Sequence, residues 1–236
     1  MGLVHSAPGL RRVNVVFGML ATLGIVYLVE NTLLAAAVLI PFWIVLFRPW
    51  GLDDALIFSI ASLFFLGQNY AVLKTGGFAF THKDVLLMPY YEPFLWGVYY
   101  LALKRFIGEP AVTVRLQWNA FFGLFLTGFC FSVFSGSSDM LWGATLVSTA
   151  VLFLMFHERY DLVYALSALV LGLVVELFGV SAGLWEYPDP DFLGIPYWFA
   201  TMWLSVGLLG RRFLIPLAEL AARRIRRTIT PLSAEP

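Results

Sequence analysis

The sequence predicts an all-α fold: a polytopic transmembrane bundle of about eight spans, built as two parallel four-helix repeats. Three observations carry this expectation. The 236 residues are 60% hydrophobic and 13% charged, with a mean hydropathy of +0.83. A soluble domain of that size has too much polar surface to cover with such a composition. Several windows of roughly 17–20 residues lack charges, the length that crosses a bilayer core of ~30 Å. The third observation is a pattern that occurs twice, 107 positions apart.

The first copy runs Gly76-Gly-Phe78-Ala-Phe80, then Met88-Pro89-Tyr90, Trp96 and Lys104-Arg105-Phe106. The second runs Gly183-Leu-Trp185-Glu-Tyr187, then Ile195-Pro196-Tyr197, Trp203 and Arg211-Arg212-Phe213. Asp54 and Asp161, and Asp84 and Asp191, keep the same register. The spans are expected at about 13–29, 32–47, 54–72, 88–103, 117–135, 140–156, 161–179 and 195–210. Shifting the first four by 107 lays them on the last four. Each unit has an even number of helices, so the copies share one orientation and their axis runs along the membrane normal. The units are read as residues 1–107 and 108–213, joined at Gly108-Glu109-Pro110, with a basic tail over 214–236.

The elements are justified in order. Arg11 and Arg12 precede the first span, and no small-residue cleavage site follows it, so it reads as a span and not a cleavable signal. Glu30-Asn31 is the whole turn to the second span, so these two form either a tight pair or a shallow re-entrant element. Asp54 and Asp161 open the third and seventh spans as helix caps. Pro89 and Pro196 open the fourth and eighth within the first turn, where the missing N–H is tolerated. The basic segment from Arg211 to Ile229 lays Leu217, Leu220, Ala221 and Ile225 on lipid while its arginines face phosphates.

Alternating sides puts thirteen of the 15 Lys and Arg on one face, leaving only Lys74 and Lys83 opposite. The positive-inside rule then places both termini in the cytoplasm, and a bacterial or archaeal plasma membrane is expected. Cys130 is a single buried hydrophobe and allows no disulfide within the chain. His5, His82 and His157 have no ligand spacing, so no metal is expected. There is no phosphate cradle, nucleophile elbow or Cys-x-x-Cys, which removes nucleotide-driven pumps and Ser/His hydrolases. The basic tail is an anchor and gives no case for nucleic acid.

Polar side chains inside a bilayer are costly and face a cavity or one another. Glu92 and Glu176 are the candidate catalytic residues, with Asn69, the repeat equivalent of Glu176, at the same outer depth. An isolated carboxyl there can keep its proton and act as an acid near neutral pH. The plainer reading is an interhelical hydrogen bond to Asn69 or a tyrosine. Tyr90, Tyr91, Trp96, Trp185, Tyr187, Tyr197 and Trp203 gather at the same level as candidate substrate-binding residues, part of them an interfacial aromatic belt.

These residues resemble the integral-membrane, non-flavin lycopene cyclase domain family. That family shows an aspartate opening a helix, then Gly-x-Trp-x-Tyr/Phe, then a helix beginning Pro-x-Glu-Glu with an aromatic shortly after. Asp54, Gly76, Phe78, Phe80, Pro89, Glu92 and Phe94 match in the first copy, and Asp161, Gly183, Trp185, Tyr187 and Pro196 in the second. The first copy keeps one acid of the pair and the second keeps neither. The segment from Glu176 to Trp185 with Ile195-Pro196 is also similar to membrane carotenoid hydratases. The resemblance implies acid-initiated cyclisation or hydration of an isoprenoid polyene, without cofactor or redox change. Glu92 would donate the proton, Glu176 would act as donor, base or orienter, and Trp96, Trp203 and Tyr90 would stabilise positive charge. Two other classes stay open: a lipid or small-molecule binding or transport protein, and a non-catalytic membrane assembly subunit. The expected partners are membrane lipid and an apolar isoprenoid-like substrate, with a homo-oligomer left open.

Overall fold

The computed structural model describes residues 8–108 and 116–229. The turn expected at Glu109-Pro110, together with His5, Arg115 and the tail beyond residue 229, lies outside the described residues. The chain is an all-α membrane bundle of two parallel four-helix repeats. The first holds α1 (Pro8–Leu28), α2 (Thr32–Leu46), α3 (Leu52–Lys74), β1 (Ala79–Phe80) and α4 (Glu92–Ile107). The second holds α5 (Trp118–Phe134), α6 (Ser138–Met155), α7 (Arg159–Ser181), β2 (Trp185–Glu186) and α8 (Trp198–Leu209). A π-helical turn over Gly210–Leu214 leads into α9 (Ile215–Ile229).

Among the described residues, four helices are long and apolar enough to cross a membrane by length and composition: α1, α3, α6 and α7. Large apolar side chains point outward along them, including Leu63 and Leu154 at 70% and 79% exposure. Such surface needs lipid, because soluble monomers rarely expose patches of this kind. The first two helices form a tight pair. Asn31 caps α2 by accepting from the Leu34 N–H at 2.9 Å, and Trp43 Nε1 donates to Thr22 Oγ1 at 2.9 Å in the buried interface. With 15 residues, α2 spans only about 22 Å.

The duplication is visible as geometry. In the antiparallel β1–β2 pair, Ala79 lies opposite Glu186, its own counterpart 107 positions later, and Phe80 lies opposite Trp185. A two-fold axis relating the repeats therefore passes through the Ala79–Glu186 pair. Gly76 and Gly183 end α3 and α7 at φ of 77° and 68°, a left-handed conformation open to glycine at little cost. That need explains the first residue of the repeated motif. The bridges Val85–Met88 and Phe192–Ile195 are likewise equivalent.

The repeated prolines do not open helices. In each repeat this small bridge holds the chain non-helical, and a turn follows in which the Pro89 and Pro196 carbonyls accept from the N–H groups of Glu92 and Phe199. The helices begin later, at Glu92 and Trp198, with Pro93 taking the early helical position in α4.

Asp54 and Asp161 do more than cap. Asp54 accepts from the Gly51 N–H at 3.2 Å and pairs with Lys104 and Arg105 of α4 at 2.8 and 2.6 Å. Asp161 accepts from the Glu158 N–H at 2.9 Å and pairs with Arg211 and with Arg212, the latter at 2.6 Å. Arg211 and Arg212 thus turn inward and are buried, where the arginines of the tail were expected to face phosphates. An isolated buried aspartate would be costly, and the two guanidinium groups offset that cost. Both also reach Glu158, so Arg212 and then Arg211 hold its carboxyl below the usual glutamate range. Downstream, α9 packs on α3 through buried Ala218 and Ala222, and Arg226 pairs with Asp53 at 3.1 Å. Leu220 and Ile225 stay exposed on the tail.

Between α6 and α8 runs a buried Ser/Thr seam. Thr149 Oγ1 donates to the Thr201 carbonyl at 3.1 Å, and Thr201 Oγ1 donates to Thr145 Oγ1 at 2.7 Å. Such bonds between apolar helices contribute about 0.6 kcal/mol each on average.

Candidate functional site

Near the two-fold axis, α3, α4, α7 and the two strand loops converge on a polar cluster. Asn69 Nδ2 donates to Glu92 Oε1 at 2.9 Å. Glu176 Oε2 accepts from Trp185 Nε1 at 2.7 Å and from the Tyr187 hydroxyl at 2.8 Å. The two repeats solve the same position differently. The first copy has Phe78 and Phe80 where the second has Trp185 and Tyr187, so its Asn69 finds its partner in Glu92 instead. Burial pushes the Tyr187 phenol well above its ordinary value, and the Glu176 carboxyl adds to the effect. Tyr187 is therefore a neutral donor.

These residues line a cavity of about 70 Å³ with Trp96, Phe131, Met202 and Trp203. Beside it lies an apolar chamber of about 200 Å³ among α3, α4, α5 and α8. Asn69, Val72, Trp96, Phe131 and Met202 belong to both walls, so the polar and the apolar space lie side by side. Three polar atoms of the cavity wall have no hydrogen-bond partner among the described residues. Glu92 Oε2 and Glu176 Oε1 are acceptors, and the buried Trp203 Nε1 is a donor. Phe65, Trp96 and Trp203 stack in sequence beside them, with centroids 3.9 and 5.1 Å apart. Two glycines of α7 make room for the indoles. A Cβ on Gly172 would lie 2.3 Å from Trp203, and one on Gly179 would lie 2.0 Å from Trp185.

The cavity wall brings together Glu92, Glu176, Asn69, Trp96, Trp185, Tyr187 and Trp203. Tyr90 and Tyr197 are exposed and line neither space. Tyr91 is buried but also lies outside both walls. Sequence reasoning missed Gln68, Thr127 and Met202, which lie on the chamber wall. A polar residue at each of the first two, inside an apolar span, was the available signal. Among the described residues, no group of three or more His, Cys, Asp or Glu could hold a metal ion.

The fold and the site define a class: an integral membrane helical bundle with a mostly apolar interior chamber beside a polar cavity. Solved structures similar to this fold include those of a mycobacterial Insig homolog, MvINS, from Mycobacterium vanbaalenii. One MvINS chain matches with a TM-score of 0.62 at 19% identity, over 75% of this chain and 98% of that one. A second, crystallised as a cross-linked trimer, matches with a TM-score of 0.62 at 20% identity over the same shares. No protein-family profile matches the chain. A comparison with curated proteins finds no match either.

The Insig-type neighbours overturn the resemblance to lycopene cyclases and carotenoid hydratases. Several of the residues that carried it hold structural positions. Gly76 and Gly183 end helices, and Asp54 and Asp161 anchor ion pairs. Any duplicated helix pair built with these loops needs them, whatever it does.

Proposed function

We propose that this chain is a non-catalytic lipid-binding protein of the membrane, holding one neutral amphipathic lipid between its repeats. The carrying observation is the shared wall between the polar cavity and the apolar chamber. A ligand hydroxyl would donate to the open oxygen of Glu92 or Glu176 and accept from Trp203 Nε1. Its hydrocarbon would fill the chamber. Glu92 and Glu176 are then recognition groups, and Asn69, Trp185 and Tyr187 orient them. The apolar wall supports a lipid over a polar solute, because most of it offers nothing to replace lost hydration.

The surrounding reading keeps the repeats at 1–107 and 108–213, a bacterial or archaeal plasma membrane and cytoplasmic termini. A homo-oligomer belongs to it too, supported by the trimeric crystal form of the MvINS neighbour.

The test is retention of hexadecanol against hexadecane by the detergent-solubilised protein, read by native mass spectrometry. The alcohol should be retained and the alkane not. Glu92→Gln with Glu176→Gln should cut retention about tenfold, the equivalent of ~1.4 kcal/mol. Equal retention of both probes, or no change in the double variant, would remove the proposal.

A further inference from the structure

The repeat that builds the chamber builds its twin on the opposite side of the bundle. A groove of about 390 Å³ runs between α1, α4 and α7, lined by Val15 to Leu23, Ala102 to Phe106 and Leu166 to Val175. Shifted by 107, six of its fourteen lining residues fall on the chamber wall. Leu20 corresponds to Thr127, Ala102 to Leu209, Phe106 to Phe213 and Leu171 to Phe64. The groove is almost wholly apolar, and Val16, Leu20 and Val170 are exposed along it.

Its polar end differs from the chamber's in kind. Glu176 does not reach it, and its lining stops at Val175. At the other end, one turn of α1 beyond Val15 and Val16, stand Arg11 and Arg12. Arg11 Nε donates to the Arg105 carbonyl and Arg12 Nε to the Phe106 carbonyl, both at 3.0 Å. The second contact pins Arg12 against a residue that lines the groove. Neither arginine has a carboxylate partner among the described residues. Each guanidinium has five N–H donors, so most remain open. The second repeat has Trp118 and Asn119 at these two positions.

The neighbouring ion cluster adds to the positive charge. In the second repeat, Arg211 and Arg212 face two acids, Asp161 and Glu158. In the first, Gly51 takes the place of Glu158, so Lys104 and Arg105 share Asp54 alone. Arg11 and Arg12 thus stand beside the Lys104–Arg105 pair, which shares Asp54.

We propose that this groove is a binding site for an anionic glycerophospholipid, with its phosphate on Arg11 and Arg12 and one acyl chain between α1, α4 and α7. Planar guanidinium groups suit a phosphate better than a water-bound ammonium does. The reading is independent of the ligand in the chamber. Duplication supplied two grooves, and the copies then diverged, one toward a hydroxyl and the other toward a phosphate.

The experiment takes the full chain in detergent and measures lipid retained through washing, by native mass spectrometry. The probes are phosphatidylglycerol, phosphatidylcholine with the same acyl chains, and glycerol 3-phosphate. Unaltered protein should keep about one phosphatidylglycerol per protomer and at least tenfold less of the other two. The Arg11→Gln, Arg12→Gln pair should lose that preference, and Arg11→Lys with Arg12→Lys should keep part of it. Val170→Trp, which fills the groove and leaves both arginines, should lose it as well. Equal retention of the two lipids by unaltered protein overturns the proposal without any variant. So does binding of glycerol 3-phosphate alone, or retention unchanged by Val170→Trp. A change of oligomeric state in Val170→Trp with no loss of lipid would mean that a second copy covers the groove.

Discussion

Trp96 and Trp203, 107 positions apart, stack on each other with centroids 5.1 Å apart and planes 20° from parallel. Each is the other's repeat equivalent, so the stack straddles the two-fold axis between the repeats. Their rings also form one wall of the cavity that holds Glu92 and Glu176. Fold and site therefore meet at the same pair. Trp203 is 1% exposed, and its indole N–H has no hydrogen-bond partner among the described residues.

Gly172→Ala should disturb this pair without touching a polar group. The new methyl would meet the Trp203 ring at 2.3 Å. Overpacking of this kind costs about 1–3 kcal/mol. The expected result is a lower Tm and a shifted tryptophan emission, and the same emission at the same Tm would contradict the packing.

The two ion clusters should differ in sensitivity. Asp161 is fully buried under two arginines, whereas Lys104 beside Asp54 is 30% exposed. Asp161→Asn leaves the two buried guanidinium groups with only the exposed Glu158 carboxylate and should cost up to about 3–5 kcal/mol. Asp54→Asn should cost less, because Lys104 can turn to water. Thermal unfolding of the two variants side by side checks the order.

The small loops preceding α4 and α8 offer a comparison of backbone strain. Leu86 and Leu87 have φ of 50° and 65°, and their counterparts Leu193 and Gly194 have 50° and 84°. A left-handed conformation costs a non-glycine residue roughly 1–2 kcal/mol. Gly194→Ala should lower stability by at least that much, since its methyl would also meet Val180 at 2.5 Å. Leu87→Gly should leave Tm equal or higher. A fall in Tm for Leu87→Gly comparable to that of Gly194→Ala would refute the account.

Glu158 gives a pH dependence with a defined sign. Arg212 and Arg211 hold its folded carboxyl below the ordinary value of 4.5. Its contribution is fully present above that value and disappears as pH falls through the lowered one. The side chain is 59% exposed, so solvent screening keeps the effect small. Glu158→Gln should therefore lower Tm slightly at pH 7 and leave it unchanged at the acid end. A difference that grows toward low pH would reverse the assignment.

Much of this was legible in one dimension. The 107-residue register located Gly76 and Gly183, the Asp54 and Asp161 clusters and the Trp96–Trp203 pair, because duplicated contacts preserve residue type and spacing. The intramembrane acids Glu92 and Glu176 stood out because few reasons other than a cavity or a partner keep a carboxyl in lipid, and the fold brings both to one cavity wall. The first turns of α4 and α8 were misplaced. Proline is tolerated both inside a helix start and just before it, and only the bridge at Val85–Met88 decides between them.

Membrane class, repeat and the level of the polar cluster follow from the order of residues alone, through hydropathy and register. Three things needed the packed structure: the partner of each acid, the inward turn of Arg211 and Arg212, and the twin relation between chamber and groove. The reason is that a bilayer is as apolar as the protein's own core. An apolar residue can face either one, so hydropathy does not fix how each helix is rotated about its axis. That rotation decides which side chains meet.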